Sequence, residues 1–284
     1  MHALEFPVTL RYLMPKAKNP DLQTLYVFNM YRAGSSVLAA VAPAVAVMSG
    51  RVHINITQDF NRFGVTIFDI ENWRSSNIFL NGHGADLMQL TEMGGYLHYG
   101  YREIPSGFAE QFNSLAASVL IARDLRDIGM SHYRAIDKHT TTDSRVNKAT
   151  IEGARQLKSG KNLHEYILSP ELLKFLKRVG QCYKPLIEKG ITIIRYEELF
   201  DEQTGNFSVP KLCARLVEAF EDFSPGLEVS EVLDYTRRAI ENSEHLKGHA
   251  TSGGFGYYRN LPPDIREKYT KALSDELSLL GYTD

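Results

Sequence analysis

Cysteine is nearly absent from this chain: Cys182 and Cys213 are the only two in 284 residues. They fall in different predicted helices and read as reduced structural thiols, the alternative being one lone disulfide. Excess charge of either sign is also missing. The net charge is -2, so no broad basic field argues for nucleic acid as a partner. Long apolar runs are absent too. The longest, Val37 to Met48, contains Pro43 and falls well short of the roughly 20 residues a bilayer crossing requires. The opening stretch Met1-His2-Ala3-Leu4-Glu5-Phe6-Pro7 has no basic segment before an apolar core, unlike a secretory leader. The nine histidines show no paired metal spacing such as H-E-x-x-H, which argues against a metal site. No repeat, low-complexity tract or linker divides the sequence. What is left is 43% hydrophobic and 23% charged, the composition of an ordinary globular protein. The expectation is a single domain over residues 1–284, soluble and cytoplasmic, with no membrane association.

Short apolar runs alternate with helical patterns. Strands are expected at Leu25–Asn29, Arg51–Ile56, Tyr96–Arg102 and Ser118–Ala122. Ile191–Ile194 is a continuous β-branched run, the mark of a strand buried on both faces. Helices are expected from near Ser35, over Asp127–Asp137, and over Pro170–Lys189 with Gly190 as its stop. Others follow at Val209–Ala219, Val229–Asn242 and Pro262–Leu280. Pro105-Ser106 opens a short helix with Ser106 as its cap, and His139–Ser144 is a polar loop. This order predicts an α/β fold with a mostly parallel central sheet and helices on both faces. Ligands of such sheets bind beyond the carboxyl ends of the strands.

Two turns fall at such ends. Tyr31-Arg32-Ala33-Gly34-Ser35-Ser36-Val37 follows the first strand. Gly34 permits close backbone approach, the serines add hydroxyl donors at a helix start, and Arg32 offers a fixed fork of donors. The turn lacks the G-x-x-x-x-G-K-[ST] spacing of the nucleoside-triphosphate loop. It also reads as a serine-capped turn with a solvated arginine. Arg123-Asp124-Leu125-Arg126-Asp127-Ile128-Gly129-Met130-Ser131 follows the fourth strand. If the helix starts near Asp127, Arg123 and Ser131 reach one phosphate at its mouth. The plainer reading is a charged surface turn in which Asp127 serves the helix dipole.

Together the turns resemble the sulfotransferase family that uses 3′-phosphoadenosine 5′-phosphosulfate. Tyr31 to Ser36 is similar to its P-[KR]-[SA]-G-[ST]-[ST] motif. Arg123 to Ser131 matches R-[DN]-x-[RK]-D-x-x-x-S at every specified position. Arg195-Tyr196-Glu197-Glu198-Leu199 resembles the family's [RF]-Y-E-[DE]-L. Gly253-Gly254-Phe255-Gly256-Tyr257-Tyr258-Arg259-Asn260-Leu261 resembles its glycine-rich G-x-x-G-x-[WY]-[KR]-N-x-[LF]. The resemblance runs from residue 25 to the C-terminus and implies a P-loop-like sulfotransferase architecture. It implies that Arg32, Ala33, Gly34, Ser35, Ser36 and Val37 hold the 5′-phosphosulfate end. Arg123 and Ser131 then hold the 3′-phosphate, Tyr196 contacts adenine, and Gly253 and Gly254 line a loop over the 3′-phosphate. The chain departs from the family at three places. Tyr31 replaces a proline, Val37 stands where many members carry a tryptophan, and Thr251-Ser252-Gly253 replaces Arg-Lys-Gly. Lys247, His249 or Arg259 is the nearby cation that could take the place of the missing pair.

The family's base ends the strand before the second motif, and Tyr101-Arg102-Glu103-Ile104-Pro105 puts Glu103 there. A carboxylate there takes the acceptor's proton as sulfur is attacked. Glu103 also reads as an ion-pair partner of Arg102 or Arg126, and His98 is the competing base. Strand alternation sets His98 and Glu103 on opposite faces. Arg32 is expected to stabilise the leaving phosphate oxygen. The resemblance thus implies sulfuryl transfer to a hydroxyl or nitrogen of a small molecule, such as a metabolite or natural product. The donor gives 3′,5′-adenosine bisphosphate as product, and no metal is called for. Two other readings stand beside it, a P-loop kinase of a small metabolite and a nucleotide-binding module without catalysis. Trp73 and the His132-Tyr133 pair read as packing residues or as acceptor contacts.

Overall fold

A computed structural model describes residues 16–55, 93–102, 104, 112, 115–116, 117–138, 152, 155–243, 246 and 254–282. Five strands form one sheet: β1 (Leu25–Asn29), β2 (Val52–Asn55), β3 (Tyr96–Tyr101), β4 (Ser118–Ala122) and β5 (Thr192–Arg195). Their order across the sheet is β2-β3-β1-β4-β5, and all the described pairings are parallel. The fold is therefore α/β with a parallel sheet, as the alternating pattern predicts. β1, β3 and β4 are buried at every residue, which explains their mainly apolar and aromatic composition.

Helix α1 (Ser35–Met48) follows β1 and packs with β2 and β3. It is buried almost all round, through Val37, Leu38, Ala40, Val41, Ala42, Ala44, Val45 and Ala46. The helix fits because alanine lets the sheet on one side and two later helices on the other approach closely. Those helices are α6 (Val209–Ala219) and α7 (Val229–Glu241). The other layer holds α2 (Leu125–Lys138), α3 (Leu163–Ile167) and α4 (Pro170–Gln181). It continues through α5 (Lys184–Glu188), α8 (Pro263–Ala272) and α9 (Ser274–Leu279), which packs on α4. A capping box between Asn162 and Glu165 starts α3, and the Ser208 side chain caps α6, each satisfying amides that the helix cannot.

Four expectations need correction. The predicted helix Pro170–Lys189 is two helices, broken at Cys182-Tyr183, with Pro185 in the first turn of α5. Proline has no N–H and its ring crowds the preceding turn, so it is favoured in a first turn, where no amide partner is lost, and the helix restarts there. Gly190, at φ +87°, does end the second piece. Pro262–Leu280 likewise divides into α8 and α9, at Leu273. β5 is not buried on both faces: among the described residues it borders only β4, and Thr192 and Arg195 are exposed. Its β-branched run marks an edge strand. The helix of the second turn starts at Leu125, ahead of the expected Asp127. The predicted helix at Ser106, the loop at 139–144 and Trp73 lie outside the described residues.

One glycine alters the face assignments. Val27 pairs with Tyr99 but Phe28 with Tyr101, so Gly100 is an extra residue in β3, at φ +86°. Such a bulge with a left-handed backbone suits glycine and shifts the alternation by one. Tyr101 therefore shares a face with His98 and packs on Phe28, ring centroids 5.1 Å apart. The alternation that set His98 and Glu103 on opposite faces does not carry past Gly100.

β1 leads to β2 on one side of the sheet and β4 leads to β5 on the other. The chain thus leaves these neighbouring strands in opposite directions, which opens a crevice at their carboxyl ends. Both arginine-bearing turns stand there.

Candidate functional site

The turn after β1 is held in a sparsely populated conformation. Arg32 has φ +60° and is the only non-glycine residue with positive φ among the described residues. That backbone costs on the order of 1 kcal/mol or more and persists where neighbours enforce it. Gly34 follows at φ +77° as the N-cap of α1. No side chain caps this helix, unlike α3 and α6, and its first turn holds no acidic residue. The expected serine cap is not formed. The first-turn amides, the serine hydroxyls of Ser35 and Ser36 and the positive end of α1 are left facing the crevice, where they suit an anion.

The turn after β4 is built from buried charge. Arg126 and Asp124 form a bidentate pair, with Nη2 to Oδ2 at 2.8 Å and side chains only 2% and 5% exposed. The guanidinium also lies 3.9 Å over the Tyr258 ring and donates to Thr270. Arg126 is thus committed within the fold. Asp127 does more than serve the dipole. Its carboxylate accepts from the backbone N–H groups of Gly256 and Tyr258, fastening the glycine-rich segment to the start of α2. Burial pushes its pKa up, against the pull of those hydrogen bonds and of Arg123.

Glu197, from the single 3-10 turn Tyr196–Leu199 after β5, braces the same turn. It accepts from the Asp124 N–H at 3.1 Å and from the Tyr282 hydroxyl at 2.6 Å. Burial raises its pKa, with those hydrogen bonds opposing.

The two turns meet directly. Arg32 Nε donates to Ser131 Oγ at 3.1 Å. Arg123, 4% exposed, donates through Nη1 to the Arg32 carbonyl and through Nη2 to the Gly254 carbonyl at 2.8 Å. Its guanidinium carbon lies 4.6 Å from the centre of the Tyr196 ring. The sequence grouped Ser131 with Arg123, at the opposite end of a ligand from Arg32. The structure instead joins the Ser131 hydroxyl to Arg32 and turns Arg123 toward two backbone carbonyls.

Arg32, Gly34, Ser35, Ser36, Val37, Ser131, Tyr196 and Phe207 line one cleft with about 500 Å³ of empty space, part of it open to solvent. Its volume as a cavity is about 100 Å³, below the roughly 300–1,000 Å³ of small-molecule sites. Ala33 is buried beneath the turn, its N–H bonded to the Met30 carbonyl. Arg32 keeps an exposed surface, but its guanidinium is crowded. Burial first, then the like charges of Arg123 and Arg102, lowers its pKa, while Tyr196 pulls it up. Arginine stays charged regardless, so the crowding is repulsion that an anion would relieve.

Phe207 and Arg102 were not anticipated. Phe207 reaches the cleft because a bridge between Phe200 and Phe207 folds the chain back beside Tyr196, rings 5.6 Å apart. No local pattern announces that return. Arg102 was visible beside the expected base, yet its approach to Arg32 depends on the bend after β3. Glu103 and Gly253 lie outside the described residues. His98 is fully buried, against Tyr26 at 5.3 Å and Tyr96 at 6.0 Å. Neither ring nitrogen has a hydrogen-bond partner, and burial drives its pKa down to about 3. It is a neutral core residue away from the cleft lining.

Both cysteines are free. Among the described residues no group of three metal-ligating side chains occurs, and no helix is long and apolar enough to cross a membrane. No family model, no curated protein and no solved structure matches this chain.

Proposed function

We propose that the cleft binds 3′-phosphoadenosine 5′-phosphosulfate and that the protein transfers its sulfuryl group to a hydroxyl or nitrogen of a small-molecule acceptor. One observation carries the reading. Arg32 and Ser131, from motifs far apart in sequence, share a hydrogen bond at the uncapped start of α1, with Arg123 beside them. Such an arrangement suits a ligand with more than one phosphate-like group, because each guanidinium offers a planar fork of donors. The sequence resemblance supplies the chemistry, and the aromatic wall of Tyr196 and Phe207 suits a planar base.

In this mechanism the acceptor oxygen or nitrogen attacks sulfur in line with the bond to the 5′-phosphate. A new S–O or S–N bond forms as the sulfur–phosphate oxygen bond breaks. The acceptor proton passes to the Glu103 carboxylate. The electron pair leaves on the phosphate oxygen, giving 3′,5′-adenosine bisphosphate. Arg32, the Ser35 hydroxyl and the α1 amides stabilise that developing charge.

Calorimetry with 3′,5′-adenosine bisphosphate and 5′-AMP tests the binding half. Wild type is expected to prefer the bisphosphate, and Arg123→Ala to lose far more affinity for it than for 5′-AMP. Equal losses remove the 3′-phosphate role. An acceptor screen with labelled donor tests the transfer. Tight nucleotide binding with no transfer to any acceptor would leave a binding module, and Mg²⁺-dependent ATP consumption would leave a kinase.

A further inference from the structure

The Arg123 guanidinium is already engaged by the protein itself. Its Nη2 donates to the Gly254 carbonyl at 2.8 Å and its Nη1 to the carbonyl of strained Arg32. Nε is buried with no partner. The guanidinium carries five N–H groups; two are held by these carbonyls, and the residue is only 4% exposed. A phosphate reading it through two side-by-side N–H groups reaches it only where a covering carbonyl gives way.

The segment bearing Gly254 is seated firmly around that contact. Asp127 accepts from Gly256 and Tyr258 N–H. Arg126 lies under the Tyr258 ring and Arg134 under the Tyr257 ring, each at 3.9 Å. Tyr257 in turn folds back over Gly254, so that a Cβ there would fall 1.9 Å from the Tyr257 hydroxyl. An alanine there requires the Tyr257 side chain to swing off the seat.

We propose that Gly254–Tyr258 is an autoinhibitory strap: the Gly254 carbonyl and an anionic phosphate group compete for the Arg123 guanidinium. Ligand entry unseats the strap, and the same shift releases the Arg32 carbonyl, coupling the turn after β1 to the C-terminal segment. The inference rests on the anion-binding part of the proposed function and not on sulfuryl transfer. It reverses the sense the family resemblance gives this loop, which is closure over the bound nucleotide.

Amide hydrogen exchange of the full chain separates the two senses. Competition predicts that saturating inorganic pyrophosphate or 3′,5′-adenosine bisphosphate speeds exchange at the Gly256 and Tyr258 amides. Unchanged or slower exchange in the liganded protein overturns the strap. Gly254→Ala gives an independent reading with no change of charge. Its methyl group expels the seat, so inorganic pyrophosphate is expected to bind about fivefold more tightly. Equal or weaker binding by a folded Gly254→Ala protein, or no binding of either probe, also overturns the proposal. The fates of the two proposals are separable. A strap that opens on pyrophosphate in a protein that transfers no sulfuryl group keeps this inference and ends the enzymatic one. Sulfuryl transfer with the strap still protected does the reverse.

Discussion

Arg32 Nε and Ser131 Oγ stand 3.1 Å apart although 99 residues separate them in sequence. The contact exists because β1 and β4 are neighbours in the sheet while their following turns depart in opposite directions. It brings a strained backbone, an uncapped helix start and a fixed cation into one crevice.

Arg32→Lys keeps the charge but removes the fork of donors and the bond to Ser131. A lost hydrogen bond to a charged group is worth about 1.5–3 kcal/mol. Calorimetry should show 3′,5′-adenosine bisphosphate binding roughly tenfold to a hundredfold more weakly. Unaltered affinity would mean that Arg32 contributes only bulk charge.

Glu103→Gln removes the proton acceptor without changing the size of the side chain. Single-turnover assays should show transfer slowed by roughly a hundredfold or more, with bisphosphate affinity nearly unaltered. Wild-type turnover in this variant would leave the general base to another group.

The Asp124–Arg126 pair makes a stability prediction independent of function. Asp124→Ala leaves a buried guanidinium uncompensated, and urea unfolding should show a loss of about 3 kcal/mol or more. Replacing both, as Asp124→Leu with Arg126→Met, should cost much less, because no lone charge then remains inside. Equal losses from the single and double variants would contradict this account.

His98 predicts acid sensitivity. The unfolded chain takes up a proton on this ring below about 6.5, whereas burial holds the folded ring neutral down to about 3. Stability from this group is therefore present above the unfolded value and is lost as pH falls through the window between the two. His98→Phe, among the rings of Tyr26, Tyr96 and Phe112, should narrow the stability gap between about pH 7 and about pH 4.5. The expected narrowing is about 2 kcal/mol, read from denaturant midpoints. An unchanged gap would show that the ring is solvated.

The amino-acid sequence by itself determined the strands and the turns. Leu25–Asn29 and Ser118–Ala122 are apolar but for one terminal residue each and bounded by sharp breaks, so local composition fixes where they start and stop. Val209–Ala219 is equally plain, since a serine cap and an early proline mark its start. Seven of the candidate cleft residues, Arg32, Gly34, Ser35, Ser36, Val37, Ser131 and Tyr196, were marked by their places in motifs. Pro185 was equally visible, yet its helix-breaking effect was outweighed by the amphipathic pattern on either side.

Tertiary structure alone decided the rest. Strand order made Ile191–Ile194 part of an edge, and the bulge at Gly100 re-aimed Tyr101. The folding back at Phe207 built a wall of the cleft. Asp127 became an anchor only when residues far along the chain came to rest on it, and Arg123 acquired two carbonyl partners in the same way. The physical reason is common to all of these. Backbone propensity and periodicity act over a few residues, whereas a hydrogen bond's partner is chosen by whichever distant segment the packed core brings within about 3 Å.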